Sequence, residues 1–180
     1  DDIRAQNFHG HDVTVVVDDR DMRGGEKNWH WIKKGMPIRI EVGPRDIENN
    51  NVCMARRDKG HKDKEIIARN DIVAAIVPTL DDIQNTYLEQ ALKMQKENSR
   101  SDIADFEEFK AFFTPKNANK PEPHGGFVYA KWCGEDSCEN RLSDLKVSIR
   151  CLPTEQSGSE GTCVVCGKKA TIDALYAKSY

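Results

Sequence analysis

The sequence predicts an α/β protein that continues into a small cysteine-bearing domain. β-branched runs separated by polar turns occupy about residues 1–69, and an apolar stripe of helical period follows from residue 79. Two cysteine pairs lie between strand-like segments in the last third. We expect an α/β domain at residues 1–78, a connecting helix at 79–100 and the cysteine-bearing domain at 101–180.

The composition excludes several classes of protein. A chain of 180 residues with 38% apolar side chains can bury a core, and its longest apolar run, residues 72–77, is far shorter than the roughly 20 residues that cross a bilayer. The net charge of −3 argues against non-specific coating of nucleic acid but allows a local basic face. The chain opens on Asp1 with neither Met nor a secretory leader, so we expect a cytoplasmic protein and a piece of a longer chain.

The first third predicts four strands. Residues 13–17 are β-branched and end at the acidic cluster 18–21, and residues 38–42 lie between turn-forming residues. Residues 51–57 and 64–69 flank a turn in which Gly60 is expected to adopt a positive φ, as in a hairpin.

The middle of the chain predicts helices. Asn70 is the expected N-cap of a short helix that ends before Pro78, and a long helix follows with Leu80, Ile83, Tyr87, Ala91 and Met94 on one stripe. A second amphipathic helix carries Ile103, Phe106, Phe109 and Phe113. Residues 114–126 are a predicted loop, and strands are expected at 127–129, 147–151 and 172–176.

Two cysteine pairs predict a metal site. Four residues separate Cys133 from Cys138 and two separate Cys163 from Cys166, with a glycine after the first and the last of the four to close each turn. Four thiolates suit tetrahedral Zn²⁺ at about 2.3 Å and leave no position for substrate, so the ion would be structural. A pair of disulfides, core thiols or a redox pair are the alternatives. The two remaining cysteines, Cys53 and Cys151, are expected to be small buried hydrophobes.

Two segments could contact nucleic acid. The hairpin from residue 56 to 64 carries five cationic side chains against two carboxylates, which fits either a phosphate contact or an ordinary solvated hairpin. At residues 38–46, the strand places Arg39 and Glu41 on one face and ends at Arg45 and Asp46. An arginine fork and a carboxylate can read an unstacked guanine, although the same residue types also form plain salt bridges.

These segments resemble a known family. VDDRD at 17–21, KGMPIRIEVGPRD at 34–46 and ARRD at 55–58 resemble the anticodon-binding domain of prolyl-tRNA synthetases. Trp132-Cys133-Gly134, Cys138, the knuckle at Cys163 and the Lys-Ser-Tyr ending resemble the zinc-binding C-terminal domain of the archaeal and eukaryotic type. The match is collinear over nearly the whole chain.

The resemblance implies a mixed-sheet anticodon-binding domain of the class II aminoacyl-tRNA synthetase type, truncated at its N-terminus, followed by a small α+β zinc-binding domain. Residues 7–11 would be the end of its first helix. It also implies an enzyme that activates proline with ATP and Mg²⁺ and attaches it to tRNA(Pro), as a homodimer, with no membrane or DNA partner. The catalytic domain would precede Asp1, so this piece alone would be inactive and would act together with that domain.

The resemblance further implies which residues bind tRNA. The family reads the anticodon guanines with an arginine and an aspartate that match Arg39 and Asp46, and the basic residue beside the aspartate matches Arg45. The family's C-terminal tyrosine lies near the catalytic domain, so Tyr180 would support the active site, with a frayed tail as the alternative.

The sequence departs from the family at two positions. Asn28 and Ile32 stand where the family has the phenylalanine and the glutamate that contact the anticodon, and Trp29 or Trp31 is the candidate for a replacement stacking surface. Two other classes of function stay open at this point: a free-standing zinc-containing RNA-binding module, and a structural appendix that docks on another protein.

Overall fold

The computed structural model describes residues 1–117, 119 and 125–178, and the chain forms two compact units, Asp1–Gln90 and Ala91–Tyr180. The α/β class is confirmed. The three-part division at residues 78 and 100 stays a prediction. No helix among the described residues has the length and apolar content needed to cross a membrane.

The first unit is a three-stranded antiparallel sheet with helices. Strand β4 lies between β3 and β5, and Arg39, Ala55 and Lys64 are in register across the three strands. The elements of this unit are β1 (Asn7–Phe8), β2 (His11–Asp12), α1 (Gly24–Lys33), β3 (Ile38–Glu41), α2 (Pro44–Glu48), β4 (Asn51–Arg56), β5 (Lys64–Ala68) and the start of α3 (Ile72–Glu97).

The core of this unit lies on one face of the sheet. Val52 and Met54 of β4 pack with Ile72 and Ile76 of α3, because alternate residues of a strand share a face and every fourth residue of a helix does. The opposite face carries Arg39 of β3, and on the core side of this strand Ile38 packs against the core whereas Ile40 is exposed.

One strand prediction and one helix prediction for the N-terminal part are wrong. Residues 13–17 form no strand, and Val16 and Val17 are exposed, because among the described residues no strand lies beside them to complete the backbone hydrogen bonds. Residues 7–11 are not the end of a helix. They form the small hairpin of β1 and β2.

One turn prediction and one helix-cap prediction are also wrong. Gly60 does not have a positive φ, since β4 and β5 are joined by a seven-residue loop in which the Gly60 N–H donates to Asp63 Oδ2 at 3.1 Å. Asn70 is not an N-cap. It precedes the helix by two residues, and α3 runs without a break through Pro78.

The second unit is built on a four-stranded mixed sheet of order β6-β7-β11-β8, in which β6 is parallel to β7 and the other neighbours are antiparallel. Its elements are β6 (Ser99–Arg100), α4 (Phe106–Phe113), β7 (Phe127–Trp132), α5 (Asp136–Asn140), a 3₁₀ turn (Ser143–Leu145), β8 (Val147–Cys151), β9 (Gly161–Thr162), β10 (Lys169–Ala170) and β11 (Ile172–Lys178). The three strands predicted here are confirmed.

Aromatic side chains of α4 form the core of the second unit. Phe109 and Tyr176 are fully buried and meet edge to face with ring centroids 5.2 Å apart. Ile103 is also buried but lies before the helix that was predicted to carry it. The predicted loop 114–126 lies partly outside the described residues. The burial predicted for Cys151 is wrong, because it is exposed at the edge strand β8, and Cys53 is only half-buried.

Candidate nucleic-acid interface and candidate metal centre

Strand β3 is an edge strand, and its side chains line a groove of about 1210 Å³ in the first unit. The groove contains all three residues predicted to bind tRNA, Arg39, Arg45 and Asp46, because only two residues separate α2 from the end of the strand. Tyr180, the remaining predicted functional residue, lies outside the described residues.

Arg39 is half-buried in this groove. Its Nε is inaccessible to solvent and has no hydrogen-bond partner among the described residues. A buried donor without a partner is unfavourable in the unbound protein.

Asp46 is held in place by the start of α2. Its Oδ2 accepts a hydrogen bond from the Gly43 N–H at 2.8 Å, and this contact orients the carboxylate at the groove. Arg45 is exposed beside it. In the part of the chain that the structure describes, Arg39 and Asp46 do not pair with each other, so the plain salt bridge considered as an alternative does not form.

A polar bridge that the sequence did not predict borders the groove. The Glu41 carboxylate accepts from Asn28 Nδ2 at 3.4 Å and pairs with Lys64 Nζ at 2.6 Å. It therefore links α1, β3 and β5 across the polar face of the sheet. Only the alternation that put Arg39 and Glu41 on one face indicated that Glu41 would lie here.

The two tryptophans of α1 have different environments. Trp31 is half-buried and its Nε1 donates to Asp18 Oδ2 at 2.7 Å. The Arg20 guanidinium beside Asp18 holds the pKa of that carboxyl well below its usual range, so the acceptor stays charged. Trp29 lies on the outer side of the helix and is 64% exposed.

Two of the five cations of the basic hairpin, Arg56 and Lys64, form ion pairs within the described part of the protein. Arg56 pairs with Asp58 at 2.7 Å and with Asp82 at 2.5 Å, and Lys64 pairs with Glu41. Arg57 donates to the Gly35 carbonyl. Among the described residues, Lys59 and Lys62 at the tip are exposed and form no ion pair, so the solvated hairpin and the phosphate contact both stay open.

The second unit brings the four predicted cysteines together. Their sulfur atoms all lie within 4.8 Å of one another, with Cys133 Sγ 3.5 Å from Cys138 Sγ and 3.8 Å from Cys166 Sγ. A tetrahedral ion bound at about 2.3 Å by four sulfurs sets them about 3.8 Å apart. All six cysteines are free, which argues against the disulfide alternative.

Backbone amides support the knuckle geometry. The Glu135 N–H faces the sulfur of Cys133, and the Lys168 N–H lowers the pKa of Cys166 to about 7. Gly134 and Gly167 have φ of +83° and +72°, which allows each turn to close. Burial raises the pKa of Cys138, so a cation would be needed to keep that thiol ionised. The cluster can hold a metal ion.

The comparisons with known proteins agree with this geometry. A family model described as an anticodon binding domain matches residues 4–79, and so the first unit belongs to the class of tRNA-binding domains. A second model, described as the C-terminal part of prolyl-tRNA synthetase, matches residues 118–180. The chain belongs to the prolyl-tRNA synthetase family.

Relatives show the same match over the whole chain. The chain is 52% identical to the proline–tRNA ligase of Protochlamydia amoebophila and 41% identical to that of Bdellovibrio bacteriovorus, in each case over 99% of this chain and 35% of the relative. The crystal structure of prolyl-tRNA synthetase from Cryptosporidium parvum complexed with L-proline and AMP superposes with a TM-score of 0.74 and 30% identity, over 93% of this chain and 34% of that one. The chain thus spans about a third of the length of these proteins.

Proposed function

We propose that this chain is the tRNA-binding, C-terminal portion of a ligase that activates proline with ATP and attaches it to tRNA(Pro). The observation that carries the proposal is the groove at β3, where Arg39, Arg45 and Asp46 face one cavity without neutralising one another. ATP, Mg²⁺ and proline would bind in the catalytic domain of that ligase, outside this chain.

Each groove residue has a distinct chemical role. Proline anticodons end in two guanines, and the planar fork of Arg39 matches the N7 and O6 acceptors of one of them. The oriented Asp46 carboxylate can accept from the Watson–Crick N–H edge of an unstacked guanine, and Arg45 can neutralise a phosphate beside it.

We further propose that the cysteine cluster holds one structural Zn²⁺. The all-sulfur donor set, the spacing of the sulfurs and the backbone amides at Cys133 and Cys166 support this assignment. With four protein ligands, the ion would serve folding rather than catalysis. The family also implies a homodimeric cytoplasmic enzyme in which Tyr180 supports the active site.

A free-standing zinc-containing RNA-binding module is the second candidate, because the groove and the cysteine cluster would serve it equally well. A structural appendix that docks on another protein is the third. Neither would change proline attachment when Arg39 is altered, so the following experiment separates the proposed function from both of them.

The test is Arg39→Ala in the full-length protein that contains this chain. Losing one bidentate guanine contact costs about 1–3 kcal/mol, so we expect kcat/KM for charging of tRNA(Pro) to fall about 5- to 150-fold. Proline-dependent ATP–pyrophosphate exchange should stay within about twofold of the parent. The loss should be much smaller with a tRNA whose anticodon guanines have been replaced.

Arg69→Ala is the matched control, because Arg69 is an exposed arginine of the same unit that does not line the groove. It should charge tRNA(Pro) like the parent. An equal fall in proline activation by Arg39→Ala would show damage to the fold, and unchanged charging would remove guanine reading from this groove.

A further inference from the structure

Helix α1 borders two separate concave surfaces. Lys27, Asn28 and Trp31 line the groove at β3, whereas Trp29 and Lys33, on the opposite side of the helix, line a depression of about 1100 Å³. We call this second surface the outer face of α1, and its lining includes Met22 and Trp29 together with the charged side chains of Arg23, Glu26, Lys33 and Lys34. No residue proposed above to read guanine lies on it.

An exposed indole and cationic side chains meet on this outer face. Trp29 is 64% exposed, which leaves most of a large apolar ring in water in the unbound protein. The depression is lined by three cationic side chains, those of Arg23, Lys33 and Lys34, and by one carboxylate, that of Glu26. Within the described part of the chain, neither Arg23 nor Lys33 forms an ion pair, so both charges are available to a partner.

We infer that the outer face of α1 is a second RNA contact, in which Trp29 stacks on an unpaired base and Arg23 and Lys33 neutralise the adjoining phosphates. This inference rests on the proposed function, because it needs RNA bound at the neighbouring groove. Aromatic rings set among cations are the general solution for binding single-stranded nucleic acid.

The surroundings of Trp29 favour RNA over a protein partner. A protein interface would extend the apolar area around the indole, but Met22 is the one large apolar side chain beside it and the other lining side chains are charged or polar. RNA loops present splayed bases and a polyanionic backbone together, which matches an isolated ring between unpaired cations. Stacking tolerates any base, so this contact would add affinity without adding sequence preference.

The experiment compares Trp29→Ala and Trp29→Phe in the full-length protein, titrated with the anticodon stem-loop of tRNA(Pro). We expect Trp29→Ala to raise Kd at least about fivefold, Trp29→Phe to retain most of the affinity, and Lys33→Ala to lower the slope of log K against log salt by about 0.7. Binding should quench tryptophan fluorescence in the parent and much less in Trp29→Phe. Tyr129→Ala, which removes an exposed aromatic ring of the other unit, is the matched control.

A stem-loop with replaced guanines separates this inference from the proposed function. Trp29→Ala should weaken this RNA by the same factor as the native loop, whereas Arg39→Ala should affect only the native loop. If the parent binds the two loops equally, guanine reading is refuted. Stacking on Trp29 is then still supported by a fluorescence quench that is larger in the parent than in Trp29→Phe. If Trp29→Ala binds both loops like the parent, the inference is overturned.

Discussion

At the scale of single residues, Asp173 shows how one carboxylate can organise a loop. Asp173 of β11 lies opposite Lys131 of β7, and the two side chains pair at 2.6 Å. Asp173 also accepts from the Ser157 N–H at 2.6 Å, and Lys131 Nζ donates to Ser157 Oγ at 2.9 Å. The loop between β8 and β9 is therefore attached to the sheet through two neighbouring residues.

This arrangement predicts a pH-dependent stability. The hydrogen bonds from Lys131 and Ser157 lower the pKa of Asp173 to about 2, below its unfolded value of about 3.9. The stabilisation is thus complete above about pH 5 and is lost as the pH falls toward 2. We expect Asp173→Asn to melt at a lower temperature than the parent at pH 5 and the difference to shrink toward pH 2, as measured by circular dichroism.

Asp144→Asn is the control for this prediction, because Asp144 is exposed in the same unit. It should melt like the parent at both pH values. A melting difference for Asp173→Asn that stays constant between pH 5 and pH 2 would contradict the assignment.

At the scale of elements, α3 continues through a residue that normally ends a helix. Pro78 cannot donate a hydrogen bond to the carbonyl of Ala74, yet the helix extends from Ile72 to Glu97. Ile76 and Thr79, on either side of the proline, are buried, whereas Pro78 itself is exposed. Packing of the buried face therefore compensates for the local cost of the proline.

Pro78→Ala should stabilise the protein. Restoring the hydrogen bond and removing the ring clash gains up to about 3 kcal/mol, and the greater freedom of the unfolded chain offsets about 1 kcal/mol. We expect a net gain of about 1–2 kcal/mol in the free energy of unfolding, measured in urea. Gln84→Ala, at another exposed position of α3, should change it by less than about 0.5 kcal/mol, and a loss of stability in Pro78→Ala would contradict this account.

At the scale of the whole molecule, the cysteine cluster joins elements that are far apart in the sequence. Cys133 follows β7, Cys138 lies in α5, and Cys163 and Cys166 lie between β9 and β10. These elements are short, so the strand hydrogen bonds alone contribute little to their arrangement. A bound ion would contribute folding free energy on the order of 10 kcal/mol.

We therefore predict about one zinc equivalent per chain by elemental analysis of the purified protein. Cys133→Ser should lose most of this metal and should lower the melting temperature markedly. Cys151→Ser is the matched control, since Cys151 is exposed and lies outside the cluster, and its zinc content should equal that of the parent. A metal-free parent with an unchanged melting temperature after chelation would refute the zinc assignment.

Patterns that depend on near neighbours were predictable from the sequence. The spacing of Cys163 and Cys166, the alternation around Arg39 and the periodic aromatic residues of α4 all report geometry within a few residues. The same local patterns carried the family resemblance, and through it the positions of Arg45 and Asp46.

Only the tertiary structure decided which local preferences prevail. Residues 13–17 have strand composition but no strand beside them in the described part of the chain, and Pro78 lies inside a helix because its neighbours are buried. Trp29 and Trp31 look alike in the sequence, yet among the residues that the structure describes only Trp31 has an acceptor within reach, at Asp18. In each case the outcome depends on a partner distant along the chain, and side-chain burial or hydrogen bonding to such a partner outweighs intrinsic propensities of about 1 kcal/mol per residue.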